Sequence, residues 1–186
     1  MRIDNRQPGR QQYSGCGRQT QQGFTLVELV VTIILLGILS AVAVPRFFSV
    51  SSEANIAVLE SMGGAILAAS SQVYARSLMA GVQSEATANV DLDGDGSNDV
   101  QVRYGYPSGS RNNGVSKIIG GGFATEWTWS TSYGDGTFWL TTAALGGRSG
   151  VYVNQTAVRN SGCYILYVPA AAAGAMPTVS YVTTDC

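Results

Sequence analysis

The chain has 186 residues, of which 45% are hydrophobic and 12% charged, with a formal net charge of −1 and no histidine. Without histidine there is no Ser-His-Asp or Cys-His nucleophilic site and no His-ligated zinc, so we expect a structural or binding protein rather than an enzyme. The charge is unevenly placed: residues 1–23 contain four Arg and one Asp, whereas the remainder contains seven basic and eleven acidic residues. A basic leader before a mildly acidic body is typical of an exported, membrane-targeted protein and argues against nucleic acid as the main partner.

An uninterrupted apolar run follows Gly23 and extends from Phe24 to Val44. As a helix it would be roughly 30 Å long, about the thickness of the hydrocarbon core of a bilayer. In a secretory signal the cleavage site follows the apolar run, and Ala41-Val42-Ala43 fits such a site loosely. Here the small residue Gly23 precedes the run instead, which favours a segment that the mature protein keeps.

Glu28 is the only charged residue in this run. Its simplest explanation is a capping box with Thr25, because a carboxylate in the first turn complements the helix dipole. That explanation is incomplete, since an unpaired carboxylate in a membrane-length apolar segment costs about 2.5–3.5 kcal/mol. A cut after Gly23 would free the α-amine of Phe24, and this amine on a neighbouring copy of the chain would be a suitable cationic partner.

The order Gly23-Phe24-Thr25-Leu26-Val27-Glu28, followed by an apolar helix and Pro45, closely resembles the start of type IV prepilins and of type II secretion pseudopilins. The resemblance implies that a membrane peptidase cuts between Gly23 and Phe24 and that Phe24 is then N-methylated. It also implies that Glu28 pairs with the N-terminal amine of an adjacent subunit. Gly37 and Pro45 match positions where the helix of this family loosens in assembled filaments.

The same resemblance implies a division of the chain into three parts: a cleaved leader at 1–23, a transmembrane and filament-core helix at 24–45, and a globular domain at 46–186. The chain would enter the inner membrane as a single-pass prepilin and later form an extracellular pilus on the bacterial surface. Its partners would be inner-membrane lipid, prepilin peptidase, the pilus assembly machinery and further copies of itself in a helical filament.

After Pro45 the pattern becomes one-sided, which predicts an amphipathic helix over 46–77 and thus one long helix from about 24 to 77. The predicted core stripe, widened by Leu59 and Ile66, consists of Phe47, Val50, Ala54, Val58, Met62, Ala65, Ala69 and Val73. A partner groove is the alternative use of this stripe. Gly63-Gly64 is a weak point within the helix.

The remainder predicts a linker with an acidic loop at 86–99 and an antiparallel sheet over 100–186, so the fold class is α+β. Strand candidates are 100–104, 127–129, 138–140, 150–153, 163–168 and 179–182. The strands at 127–129 and 138–140 flank Tyr133-Gly134-Asp135-Gly136, a predicted hairpin turn. Trp127, Trp129 and Trp139 are predicted sheet core rather than a ligand platform.

Two cysteines, Cys163 and Cys186, remain if the leader with Cys16 is removed. One disulfide is the simplest interpretation and indicates an oxidising compartment, with two unrelated buried thiols as the alternative. The pair also matches the C-terminal disulfide-bounded loop of type IV pilins, which is variable and often faces a receptor.

The segment from Asp91 to Asp99 places carboxylates at Asp91, Asp93, Asp95 and Asp99, with a glycine at its sixth position. This spacing resembles the start of an EF-hand-type calcium loop, although the usual glutamate at the twelfth position is replaced by Val102. Calcium is therefore a candidate ligand, and an acidic surface turn without metal is the alternative.

The leading hypothesis is a type IV pilus subunit with a role in adhesion and surface attachment. Tyr104-Gly105-Tyr106-Pro107 resembles the mannose-sensitive haemagglutinin group of pilins. A pseudopilin of a type II secretion system is the first alternative, favoured by the acidic loop. A membrane-anchored carbohydrate-binding module is the second. No cofactor other than calcium is expected.

Overall fold

The computed structural model describes residues 24–120, 123–132, 134–147 and 155–186. The chain forms two compact units, Met1–Ala43 and Val44–Cys186. The leader with Gly23, Tyr133 and the strand candidate at 150–153 lie outside the described residues.

A single helix, α1, runs from Leu26 to Ala80. Its C-terminus is a Schellman motif, in which the amide of Val82 donates to Ser77 O at 3.0 Å and the amide of Gly81 donates to Leu78 O at 3.2 Å. Gly81 adopts the left-handed conformation that this ending requires, with φ of +73°. The predicted long helix is confirmed, and it ends one turn later than expected.

The buried face of α1 within the second unit differs from the predicted stripe. Val50 and Val58 are 61% and 45% exposed, and Ala54 and Ala65 are also exposed. The buried positions follow helical spacing along the neighbouring face: Leu59, Gly63, Ile66, Ser70, Val73 and Ser77. Leu59, Ile66 and Val73 belong to the predicted stripe and are buried as expected, whereas the other three positions are glycine or serine, which a search for apolar side chains does not find.

Small residues on this face allow the strands to approach the helix closely. A Cβ added to Gly63 would overlap the Oη atom of Tyr181 and lie 2.8 Å from two of its ring carbons. The Ser77 hydroxyl donates to Gly105 O at 2.9 Å, which ties the end of α1 to the turn between two strands. Gly63 is therefore a packing position, and the neighbouring Gly64 has open space where a Cβ would stand.

The first sheet contains β1 (Ala88–Val90), β2 (Val100–Arg103) and β3 (Tyr106–Pro107), paired antiparallel in that order. Strand β1 lies inside the segment that the sequence predicts as a linker. It forms because Val90 pairs with Val100 on the other side of the acidic loop. Strands β2 and β3 are joined by Tyr104-Gly105, with φ of +49° and +83°. Positive φ at both central residues of a two-residue loop is the type I′ hairpin geometry.

The second sheet contains β4 (Trp127–Thr131), β5 (Phe138–Thr142), β6 (Cys163–Val168) and β7 (Thr178–Thr183), also antiparallel and in sequence order. Thr131 pairs with Phe138, which confirms the predicted hairpin. Strand β6 alternates buried and partly exposed residues, as its sequence predicts. Four short helices complete the described structure: α2 (Val115–Ile118), α3 (Phe123–Glu126), α4 (Ala143–Gly146) and α5 (Gln155–Arg159).

Each sheet shares a hydrophobic cluster with α1. Leu59 and Ile66 pack with β4, β5 and β6 residues that include Phe138, Ile165 and Tyr167. Val73 packs with a second cluster, formed with Val90, Val100 and Val102 of the first sheet. The architecture is α+β, as predicted, with two small sheets where the sequence predicts one.

Candidate functional site

The N-terminal turn of α1 is capped by Thr25. The amide of Glu28 donates to Thr25 Oγ1 at 3.2 Å, and the amide of Leu29 donates to Thr25 O at 3.2 Å. Thr25 is therefore the N-cap residue and Glu28 occupies the third helical position, as in a capping box. This geometry places a carboxylate in the first turn, where it meets the positive end of the helix dipole.

The apolar side chains of the first unit are exposed. Phe24, Leu26 and Val27 are 82%, 78% and 69% exposed, and none of residues 24–43 is buried. The stretch Leu26–Val44 is long and apolar enough to cross a membrane. A second stretch, Val50–Ala80, passes the same test, but it supplies the buried residues Leu59, Ile66 and Val73 to the core of the second unit.

Polar side chains within the apolar stretch are satisfied by the helix itself, with one exception. The Thr32 hydroxyl donates to Leu29 O at 2.8 Å, and the Ser40 hydroxyl donates to Leu36 O at 2.7 Å. Such bonds make hydroxyl groups tolerable in an apolar environment. The carboxylate of Glu28 is exposed and is paired with no other described residue.

Gly37 and Pro45 do not interrupt α1 in the single chain. Gly37 has open space where a Cβ would stand, and Pro45 removes one helical hydrogen bond because it lacks an amide proton. The helix is thus intrinsically weaker at both positions.

The acidic loop brings together three of its four carboxylates. Asp91, Asp93 and Asp99 each offer an oxygen within 4.8 Å of the others, whereas Asp95 is not part of this group. The Asp95 carboxylate instead accepts a hydrogen bond from the amide of Ser97 at 2.7 Å. Gly94 and Gly96, both with positive φ, form the sharp curl between these residues.

Backbone amides hold the acidic loop in shape. Asp91 accepts from Gly94 at 2.6 Å and from Gly96 at 2.8 Å, and Asp99 accepts from Leu92 at 2.8 Å. The bonds from Gly94 and Gly96 lower the pKa of Asp91, so its carboxylate is anionic at neutral pH. Carboxylate oxygens in such a cluster are the donors that Ca²⁺ prefers, and Lys117 lines an adjoining cleft with Asp93 and Asp99.

Cys163 and Cys186 form a disulfide with a Cα–Cα distance of 4.8 Å, which confirms the predicted pair. The bond closes the hairpin of β6 and β7, and a loop of this length stabilises the fold by about 3 kcal/mol in the chain-entropy model. Two further contacts secure the same end of the chain. Asn55 Nδ2 on α1 donates to Cys186 O at 2.8 Å, and the amide of Asp185 donates to Gly162 O at 3.0 Å.

The three tryptophans belong to the sheet core. Trp127 and Trp139 are buried, and the ring of Trp129 packs against Phe123 at a tilt of 31°, with centroids 4.4 Å apart. The Tyr104–Pro107 segment also has a structural role, because Tyr106 stacks on Tyr74 of α1 at 4.4 Å. Neither aromatic group forms an exposed platform for a ligand.

Comparison with known proteins identifies the N-terminal segment. Residues 18–44 match the model of the prokaryotic N-terminal methylation motif. The chain is 44% identical over 48 residues to the type IV narrow pilus major component PilA5 of Thermus thermophilus, covering 26% of this chain and 41% of that protein. It is 42% identical over 52 residues to type II secretion system core protein G of Pseudomonas aeruginosa, covering 28% and 37%.

A third relative, fimbrial protein EcpC of Eikenella corrodens, is 33% identical over 57 residues, covering 31% of this chain and 37% of that protein. The matches thus span about two fifths of the length of these curated relatives. No solved structure matches the chain. Over its N-terminal segment the chain is thus similar both to type IV pilus and fimbrial proteins and to a type II secretion system core protein.

Proposed function

We propose that this chain is a structural subunit of a type IV pilus, made as a prepilin, cut after Gly23 and polymerised through its N-terminal helix. One observation carries the proposal. Glu28 is the single charged group in the exposed apolar stretch Leu26–Val44, whose hydroxyl groups are satisfied internally. The helix needs lipid or other helices around it, and the carboxylate needs a cation within that environment.

The two requirements are met at different stages. The inner membrane covers the apolar residues of the prepilin, with prepilin peptidase and the assembly machinery as partners. After cleavage the amine of Phe24 on one subunit pairs with Glu28 of its neighbour, and the helices then cover one another. The finished filament lies on the cell surface, where its globular domains are available for adhesion.

The test of this proposal is the N-terminus of the mature protein. We expect mass spectrometry of the purified chain to show residue Phe24 at the N-terminus, carrying a methyl group on its amine. A chain with Gly23→Leu should keep residues 1–23 and serve as the control for processing. Filaments whose subunits retain the leader would contradict the assignment.

A pseudopilin role is the second candidate, favoured by the similarity to type II secretion system core protein G and by the acidic loop. It uses the same processing and assembly, but the assembled fibre does not extend from the cell. Electron microscopy of cells with and without this chain separates the roles. Loss of surface filaments supports the pilus, whereas intact filaments with impaired protein secretion support the pseudopilin.

We further propose that Asp91, Asp93 and Asp99 bind Ca²⁺. Three carboxylates with oxygens within 4.8 Å repel one another, and a divalent cation would remove this repulsion and order the connection between β1 and β2. Asp95 is a less suitable ligand because its carboxylate lies outside the group formed by the other three.

Calcium should therefore raise the Tm of the detergent-solubilised chain, followed by tryptophan fluorescence. At a concentration about 100-fold above Kd, binding contributes roughly 2.7 kcal/mol, equivalent to about 5–10 °C for a domain of this size. Asp93→Asn should abolish the rise. Glu60→Gln, which removes the same charge from an exposed position on α1, should leave it unchanged. If calcium still raises the Tm of the Asp93→Asn variant, the acidic loop is a surface turn and not the calcium site.

A further inference from the structure

A cleft of about 320 Å³ opens where the loop after β3 meets the hairpin of β4 and β5. Its volume is at the lower end of the range of small-ligand sites, about 300–1,000 Å³. The sequence pattern gave no indication of it, because its walls come from segments of the chain that are remote in sequence. The lining includes two residues of β2, the loop at 108–111, and Thr131, Ser132, Gly134 and Gly136 of the hairpin.

Hydrogen bonds and a close backbone contact join these segments. The Thr131 hydroxyl donates to Gly109 O at 2.7 Å in a buried bond, and the Tyr167 hydroxyl donates to Pro107 O at 2.7 Å. A Cβ added to Gly109 would overlap the carbonyl oxygen of Gly136, so the two loops touch backbone to backbone. Preformed walls of this kind reduce the entropy that is lost when a ligand binds.

The lining combines positive charge with hydroxyl and amide groups. Arg103 and Arg111 both line the cleft, and Arg103 Nη1 donates to Asp135 O at 3.0 Å, which fixes that guanidinium at the wall. A guanidinium carries five N–H donors, so the bonded Arg103 retains donors for a ligand. The other polar lining groups include Gln101, Ser110, Thr131 and Ser132.

None of the described lining residues carries a carboxylate or an aromatic ring. Asp135 lies between the lining residues Gly134 and Gly136 in sequence. Its carboxylate accepts a hydrogen bond from the amide of Thr137 at 3.0 Å, which holds it within the hairpin turn. The bond from Thr137 lowers the pKa of Asp135. The described lining residues therefore offer donors for an anion and many hydrogen-bonding partners for hydroxyl groups, and none of them offers a ring for stacking.

We propose that this cleft binds an acidic sugar, with the sugar carboxylate on Arg103 and Arg111 and its hydroxyls on the Ser, Thr and Gln side chains. Arginine recognises a planar carboxylate through paired, charge-assisted hydrogen bonds. The ligand class is a hexuronate, either free or at the end of an acidic polysaccharide. The cleft lies entirely within the second unit, so the inference does not depend on the assembly role of the N-terminal helix.

The test is a saturation-transfer NMR titration of the full chain in a non-ionic detergent that contains no sugar. Glucuronate should bind about tenfold more tightly than glucose, since only glucuronate offers a carboxylate to the arginines. Inorganic phosphate is the third probe and should bind more weakly than glucuronate, because it lacks the sugar hydroxyls. Oligomers of galacturonate are tested in parallel. Tighter binding of the oligomers indicates the end of a polysaccharide as the ligand, and tighter binding of the single sugar indicates a free hexuronate.

Two substitutions examine the cleft, and a third serves as the control. Arg111→Gln removes one guanidinium, and Thr87→Asp places a carboxylate at an exposed position on the cleft wall. Each should weaken glucuronate binding by about fivefold or more. Arg159→Gln removes the same charge from an exposed position on α5, outside the cleft, and should change the affinity less than about twofold.

The proposal is overturned if glucuronate does not bind, if glucose binds equally well, or if phosphate binds as tightly as glucuronate. It is also overturned if Arg159→Gln weakens binding as much as Arg111→Gln, because the loss of affinity would then be caused by the change in the net charge of the protein and not by the cleft. The Tm of the Thr87→Asp variant is measured as well. If it is unchanged, weaker glucuronate binding by that variant is not caused by unfolding.

Discussion

Replacing Glu28 with Ala is expected to leave the chain in the membrane and to abolish its assembly into filaments. The substitution removes the one charge of the apolar helix, and an isolated carboxylate costs about 2.5–3.5 kcal/mol in a bilayer. Membrane insertion should therefore become easier. Assembly should fail, because the amine of Phe24 on the neighbouring subunit would then be a charge without a partner in an apolar interface.

Two matched variants separate the charge of Glu28 from its position in the N-terminal cap. Glu28→Gln keeps the size and polarity of the side chain without its charge and should also fail to assemble. Thr25→Ala removes the 3.2 Å bond to the Glu28 amide, at a cost of about 1 kcal/mol, but keeps the carboxylate and should still assemble. Membrane fractionation and electron microscopy give the two readouts. Normal filaments in the Glu28→Ala variant would show that the Glu28 carboxylate is not needed for filament assembly.

Gly63→Ala and Gly64→Ala are expected to change stability in clearly different ways. Both substitutions gain about 1 kcal/mol of helix propensity. At Gly64 nothing opposes this gain, whereas at Gly63 the new methyl group overlaps the ring of Tyr181. Overpacking costs about 1–3 kcal/mol, so the Tm of Gly63→Ala should lie roughly 5 °C below that of Gly64→Ala.

The contact with Tyr181 is tested by a double-mutant cycle on the detergent-solubilised chain. In a Tyr181→Ser background the overlap is gone, and Gly63→Ala should become as stabilising as Gly64→Ala. The three tryptophans of β4 and β5 report unfolding of the second unit in every variant. Equal Tm values for the two glycine variants in the native background would show that Tyr181 moves aside without cost.

The elements with strong periodicity could be predicted from the sequence. Buried and partly exposed residues alternate in Cys163–Val168 because one face of this strand is buried. The apolar run after Gly23 forms a continuous helix, as its length and composition predict. The Cys163–Cys186 bond could also be predicted, because removal of the leader leaves only these two cysteines.

The missed features depend on distant contacts. The buried face of α1 contains Gly63, Ser70 and Ser77, which are buried because strands approach there and not because they are apolar. Strand β1 forms only because Val90 meets Val100 across the acidic loop. Within that loop all four aspartates are candidate ligands by sequence, and only the fold shows that the Asp95 carboxylate lies outside the group formed by the other three. Arg103 and Arg111 likewise meet at one cleft through tertiary packing.

The cluster that joins Leu59 to Ile165 and Tyr167 has a consequence for the timing of synthesis. Ribosomes add about 5–20 residues per second, so the apolar helix after Phe24 emerges on the order of ten seconds before β6 exists. During that interval Leu59 and Ile66 have no second sheet to pack against, and no side chain of residues 24–43 is buried by the described part of the chain. If the chain is the pilus subunit proposed above, capture of Leu26–Val44 by the bilayer therefore precedes folding of the domain, and the subunit is anchored before it acquires its shape.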